Sequence, residues 1–298
     1  MKKFLTTAGY ILLMILAYMA FQVAFTFIAM IAAMVYATYK GYIAIETLEQ
    51  IADYDILTSS PRTDNIYIWA MAIGLFLATV AMLCLIYYTR GYRITRNIFR
   101  SISPNSLFLS TMLVLSAMFA LNIFVQWFQL KDNLSQEFDG LTRNIIGIIT
   151  ISLLAPLLEE VLFRGTIQGY LLRRYKPWIA IVCAGLMFGI IHWNPIQTAY
   201  ATLLGIIFGW IYYRTGSLLS VIVGHILNNS IASAVMLLFG NEELKPLPQG
   251  AVPPMTETAS EIFTFLFFAS LAVYFAIKLH RSLPPVPSPW QDNGGTIR

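Results

Sequence analysis

Charge is what this chain has least of. Asp, Glu, Lys and Arg together make up 11% of 298 residues, where a soluble domain carries roughly a quarter. With 58% hydrophobic residues and a mean hydropathy of +0.68, a water-soluble globule is excluded and a bilayer is the solvent that fits. Cysteine is nearly absent. Cys84 and Cys183 both fall inside apolar runs, which excludes a disulfide framework and a thiolate metal clamp and leaves them as small packing residues. The net charge of +4 is not gathered into a basic patch, so nucleic acid is excluded as a partner; the positive residues sit at the ends of apolar segments. The apolar spans contain no Asp, which speaks against an aspartyl dyad, and the chain has no GxSxG elbow and no HExxH helix.

What is present in abundance is membrane-length apolar sequence. A transmembrane helix needs about 20 apolar residues. Runs at 8–38, 66–89, 106–129, 145–172, 178–192, 197–213, 217–239 and 259–279 predict an all-α polytopic membrane protein with about eight transmembrane helices. The first run opens like a signal peptide but continues well past the length of an h-region, so it reads as a retained helix. Charges then sort by loop. Lys2, Lys3, Arg90, Arg93, Arg96, Arg100, Arg173, Arg174, Lys176, Arg214, Lys278, Arg281 and Arg298 fall on one side. Glu46, Glu49, Asp53, Asp55, Asp64, Asp132, Glu137, Asp139, Glu242, Glu243 and Glu257 fall on the other. The positive-inside rule makes both termini cytoplasmic, and the short loops point to a bacterial inner (cytoplasmic) membrane.

The texture divides the chain into residues 1–143, three peripheral transmembrane helices; 144–239, a four-helix core; and 240–298, a last transmembrane helix with a flexible cytoplasmic tail. In the core, Gly165 and Gly169, Gly185 and Gly189, and Gly205 and Gly209 are each four apart. Such pairs let helix backbones approach closely in lipid, where hydrophobicity gives helices no reason to associate. Span five, from Trp178 to His192, is only ~22 Å long at 1.5 Å per residue. Its turn into span six is therefore expected below the membrane surface, buried among neighbours.

The core also holds the polar residues that need a reason. Glu159 and Glu160 follow fifteen uncharged positions after Arg143. On a helix Glu160 and Arg164 share a face and can pair, whereas Glu159 is turned ~100° away and lacks that partner. A salt-bridged pair that only packs helices is one explanation, but intramembrane carboxylates are functional by default. His192 closes span five, four residues after Phe188; His225 lies about two turns into span seven, with Asn229 four residues on; His280 lies beyond the last span. A glutamate, two histidines and an asparagine can activate water and stabilise an oxyanion, the requirements of amide hydrolysis. Alternatively, Glu159, His192 and His225 could bind zinc from three separate helices with a position left open for water.

Three motifs in order, each in a membrane span, resemble those of the CPBP intramembrane proteases, also called the Abi or type II CAAX prenyl endopeptidase family. They are Glu159-Glu160-x-x-x-Arg164, Phe188-x-x-x-His192 and His225-x-x-x-Asn229. The resemblance spans about residues 145–235. It implies an intramembrane endopeptidase that cleaves a membrane-embedded peptide or protein. Glu159 would be the water-activating base assisted by His192, His225 and Asn229 the oxyanion hole, and Glu160, Arg164 and Phe188 supporting residues. Family members have been described both as zinc enzymes and as metal-independent glutamate proteases. Asn229 is a better oxyanion donor than zinc ligand, which favours the second, with Asn228 adjacent as a substitute donor. The competing reading is a non-proteolytic scaffold, regulator or transporter using the same polar pocket. A transporter would show inverted repeats, and none is evident.

Overall fold

Proline and small polar residues set where the helices begin. In the computed structural model, which describes residues 2–43, 60–89, 102–132, 141–142, 144–239 and 254–284, five helices start on proline. Proline fits the first turn because its missing N–H has no intrahelical acceptor there. Ser60 closes a reciprocal capping box with Thr63, and Ser103 accepts from the Ser106 N–H, each satisfying donors that the first turn leaves open. At the other end, Gly216 stops a helix in the left-handed conformation, φ 64°, which a side chain would resist.

Eight long helices result, with no strand among the described residues. They are α1 (Lys2–Tyr39), α2 (Pro61–Tyr88), α3 (Pro104–Gln126), α4 (Ile145–Leu172), α5 (Pro177–Ile190), α6 (Pro195–Thr215), α7 (Leu218–Phe239) and α8 (Pro254–Ser282). All eight match predicted runs. Six are long and apolar enough to cross a membrane; α5 has only 14 residues, and α6 is diluted by Gln197, Thr198, Thr202, Tyr212 and Tyr213. Six of the eight expected spans thus qualify as candidate crossings. Apolar side chains point outward in quantity: Val23 is 70% exposed and Phe263 72%. Water would not tolerate such continuous apolar surface, and lipid requires it.

Two cores flank α4. One joins Met14 and Tyr18 of α1, Met82 and Ile86 of α2, and Phe188 of α5 to Leu158, Leu162 and Phe163. The other joins Leu113 of α3, Phe208 of α6, Val221 of α7 and Leu279 of α8. Helices α5 and α6 form an antiparallel hairpin in very close contact, as their small residues predicted. A Cβ on Gly185 would come within 2.7 Å of the Ile206 side chain, and one on Gly189 would overlap the Thr202 side chain. The expected burial of their turn is only partly met. Asn194 is fully buried and donates to Asp132 at 2.9 Å, but Trp193 beside it is 72% exposed with φ 54°.

Several helix ends meet in pairs. Tyr10 near the start of α1 stacks on Tyr170 near the end of α4, with ring centroids 4.4 Å apart. Arg214, in the last turn of α6, donates to the His280 carbonyl at the end of α8 at 3.0 Å. Arg90, Arg93, Arg96, Arg100, Glu46, Glu49, Asp53, Asp55, Glu137, Asp139, Glu242, Glu243 and Arg298 lie outside the described residues, as does the tail from residue 285.

One departure reshapes the centre. Helix α4 is not a uniform α-helix: Thr150–Leu154 and Val161–Gln168 are π-helical, flanking an α turn at Ala155–Glu160. Pro156 cannot donate and crowds the carbonyl four residues back, and the wider turn before it relieves that clash. π segments of this kind concentrate at functional sites. Seven consecutive residues, Leu162–Gln168, are buried, so α4 is enclosed on every side along this stretch.

Candidate active site

The short α turn between the π segments presents Glu159 and Glu160 to different neighbours. Glu160 is fully buried. Its Oε1 accepts from Arg164 Nη1 at 2.9 Å and from His225 Nδ1 at 2.8 Å. The predicted Glu160–Arg164 pair is therefore present, and it also grips His225. Glu159 has the exposure of a site residue, its side chain 12% accessible, and its Oε2 lies 3.7 Å from His225 Nε2. One imidazole on α7 thus bridges the two adjacent carboxylates of α4.

Arg164 sits in a box of aromatic rings and carbonyls. Its guanidinium lies 4.2 Å from the Phe188 ring centroid and 5.2 Å from that of Phe208, and Nη2 donates to the Gly205 carbonyl at 3.3 Å. Desolvated cation–π contacts of this kind contribute about 2 kcal/mol each. Gly205 can offer its carbonyl because nothing projects from its α-carbon; a Cβ there would meet Phe188 at 3.0 Å and Arg164 at 3.2 Å. One helical turn on, Gln168 Nε2 donates to the Gly209 carbonyl at 2.7 Å. The small residues of α6 therefore do more than allow close packing: they expose backbone acceptors to the polar face of α4.

His192 lies in the turn after α5 and folds back, its Nδ1 2.8 Å from the Phe188 carbonyl. A carbonyl only accepts, so Nδ1 carries the proton and Nε2 is the outward nitrogen. Both imidazoles pack against one phenyl ring, Phe188 to His192 at 5.1 Å and Phe188 to His225 at 5.7 Å, both edge-on. Phe188, expected as a supporting residue, is the surface on which Arg164 and both histidines meet.

Asn229 turns toward α4. Its Nδ2 donates to the Ile151 carbonyl in the first π segment at 2.8 Å, and its Oδ1 accepts from Asn228 Nδ2 at 2.9 Å. Asn228 Oδ1 in turn accepts from the Tyr200 hydroxyl at 2.6 Å. A polar chain therefore runs from α6 through α7 to α4, and Tyr200 is a member that sequence reading did not single out. Tyr18 of α1 is another. Only 5% exposed, it interacts through its hydroxyl with Glu159 and Gln22, and its ring meets Phe163 edge-on at 6.3 Å. A lone tyrosine in an apolar run carries no sequence signal of such a role.

The zinc alternative does not fit this arrangement. Among the described residues no group of three His, Cys, Asp or Glu is placed to hold a metal ion. Glu159 and His225 meet, but His192 is anchored to its own helix. An open apolar groove of about 330 Å³ between α1 and α2, lined by Ala29, Ala33, Trp69 and Ile73 among others, shares no residue with the site.

Comparison with known proteins falls on the same region. Residues 141–231 match the family model described as type II CAAX prenyl endopeptidase Rce1-like, so the resemblance carried by the three motifs holds over that segment. The chain is 27% identical over 107 residues, 36% of its length, to the "Putative membrane peptidase YdiL" of Bacillus subtilis (strain 168), covering 44% of that protein. It is 34% identical over 101 residues, 32% of its length, to an "Uncharacterized 24.3 kDa protein" of Escherichia coli, covering 45% of it. The chain thus spans a little under half the length of these curated relatives. No solved structure matches it significantly.

Proposed function

We propose that this protein is an intramembrane endopeptidase that hydrolyses a peptide bond of a membrane-associated peptide or protein, with water activated by Glu159. The supporting observation is the cluster of Glu159, Glu160, Arg164 and His225, drawn from two helices inside an apolar bundle. Arg214 in the last turn of α6 and Arg281 in that of α8, with Arg173, Arg174 and Lys176 after α4, support cytoplasmic termini, and the bacterial relatives support a bacterial inner membrane.

The chemistry follows from donors and acceptors. Glu160 accepts the hydrogen bond of His225 Nδ1–H, so Nε2 would face the Glu159 carboxylate at 3.7 Å as one acceptor against another unless it too carries a proton. With an imidazolium at His225, two carboxylates balance two cations, and a buried cluster is neutral. Glu159 then accepts a proton from water as its oxygen bonds to the scissile carbonyl carbon. The carbonyl electron pair moves onto oxygen, where His225 Nε2–H and an Asn229 amide N–H stabilise it. Collapse of this intermediate breaks the C–N bond, and the proton held by Glu159 passes to the leaving amine. His192, with Nε2 outward, assists Glu159. Phe188 and the Glu160–Arg164 pair hold the imidazoles in place.

The test reconstitutes purified protein with membranes from cells that lack it and maps new peptide N-termini by mass spectrometry. Wild-type protein is expected to generate discrete new termini within or beside apolar segments, and Glu159→Gln and His225→Ala none. Identical termini from wild type and both variants would overturn the reading in favour of a non-proteolytic role.

A further inference from the structure

Helix α1 lies outside the segment that matches the protease family, yet it reaches Glu159. The face of α1 that carries Met14 and Tyr18 packs into the core beside Leu158, Leu162 and Phe163, the residues that bracket the glutamate on α4. Tyr18 is buried with its ring edge-on to Phe163, and its hydroxyl interacts with both the Glu159 carboxylate and the side chain of Gln22. Gln22 is one helical turn further along α1 and half-buried, the spacing at which side chains on a helix meet.

The geometry points to Tyr18 as a positioning residue for Glu159, donating its phenolic hydrogen to the carboxylate while Gln22 donates to the phenol oxygen. This rests on Glu159 being the base of the proposed reaction. Glu159 is the member of the cluster that Arg164 does not hold. His225 touches one oxygen at 3.7 Å, longer than a hydrogen bond. A carboxylate so loosely held samples several rotamers, and a donor on a third helix fixes one of them. Among the described residues, the charged and titratable groups set around it are Glu160 and Arg164 on α4, His225 on α7 and, in the proposed reaction, His192 after α5; none of these belongs to α1. Tyr18 therefore closes the side of the carboxylate that the family-matched core leaves open, and it makes a peripheral helix part of the site.

The experiment compares wild type, Tyr18→Phe, Gln22→Leu and Glu159→Gln in the same liposomes. Tyr18→Phe keeps the ring against Phe163 and removes only the hydroxyl. Infrared spectra of protein labelled with carbon-13 glutamate identify the Glu159 carboxylate band by its loss in Glu159→Gln; in Tyr18→Phe that band is expected to move. At a cleavage site mapped with wild-type protein, kcat is expected to fall roughly ten- to a hundredfold, the effect of losing a hydrogen bond to a charged group. KM is expected to stay within about twofold, because substrate contacts are untouched. Gln22→Leu is expected to lower kcat by less. A carboxylate band and a kcat unchanged in Tyr18→Phe, with Glu159→Gln inactive, would overturn the role of Tyr18 and leave the proteolytic reading standing. Full cleavage by Glu159→Gln would overturn the reading itself.

Discussion

Replacing Arg164 by methionine should cost this protein much of its stability, and the structure supplies the terms. The guanidinium is fully buried, pairs with Glu160 at 2.9 Å, donates to the Gly205 carbonyl at 3.3 Å and faces Phe188 at 4.2 Å. Stranding one member of a buried ion pair costs about 3–5 kcal/mol. The uncovered carbonyl adds about 1–3 kcal/mol and the lost cation–π face about 2 kcal/mol. These contributions share one group, His225 still bonds Glu160, and methionine refills part of the space, so they overlap rather than sum. The expected loss is about 3–5 kcal/mol. Glu160→Gln strands the partner charge instead and should cost a similar amount. The double variant removes both charges, and its loss should be about 2 kcal/mol smaller than the two single losses together. Far-UV circular dichroism during reversible unfolding in mixed micelles, titrated with a denaturing detergent at fixed protein concentration, measures all three. Single losses that add to within about 0.5 kcal/mol would refute the coupling, and with it the view that this pair braces the imidazole of His225.

The other expectations concern the reaction and the packing that frames it. Glu159→Gln should lower the detergent unfolding midpoint less than Glu160→Gln does, since it removes a balancing charge that His225 meets only at 3.7 Å, while cleavage falls about 10²–10⁴-fold, the usual contribution of a positioned base; time courses of terminus formation give the ratio. Gly189→Ala should destabilise by about 1–3 kcal/mol, the cost of overpacking, because its Cβ would overlap the Thr202 side chain. Adding Thr202→Ala should restore only part of this in the same unfolding assay, since the Thr198 carbonyl would remain 2.6 Å away. A strong chelator should leave cleavage rates unchanged; a loss that zinc alone reverses would return Glu159, His192 and His225 to the role of metal ligands.

Much of this architecture was legible because lipid imposes one strong rule. A backbone in hydrocarbon must satisfy its own hydrogen bonds, so long apolar runs are helices, and all eight predicted runs are helices here. The ion pair of Glu160 with Arg164 was legible for a similar reason, since positions four apart on one helix meet whatever else the chain does. The close approach of α5 and α6 followed from glycines at fixed spacing. The π segments of α4 were not legible. Pro156 marks a disturbed helix, but whether the chain kinks, breaks or widens depends on what surrounds it.

What the sequence determined alone is therefore local and one-dimensional: which stretches are helical, which of their residues share a face, and that Glu159, Glu160, His192, His225 and Asn229 are polar where polarity is costly. What only the tertiary structure decided is who meets whom. That His225 spans both glutamates, that His192 folds back onto Phe188, that Asn229 is tied to Ile151 and that Tyr18 of a peripheral helix reaches Glu159 depend on the rotation and depth of each helix against its neighbours. In a bilayer those are fixed by side-chain packing and interhelical hydrogen bonds rather than by apolar pattern, because every face of an apolar helix is equally at home in lipid.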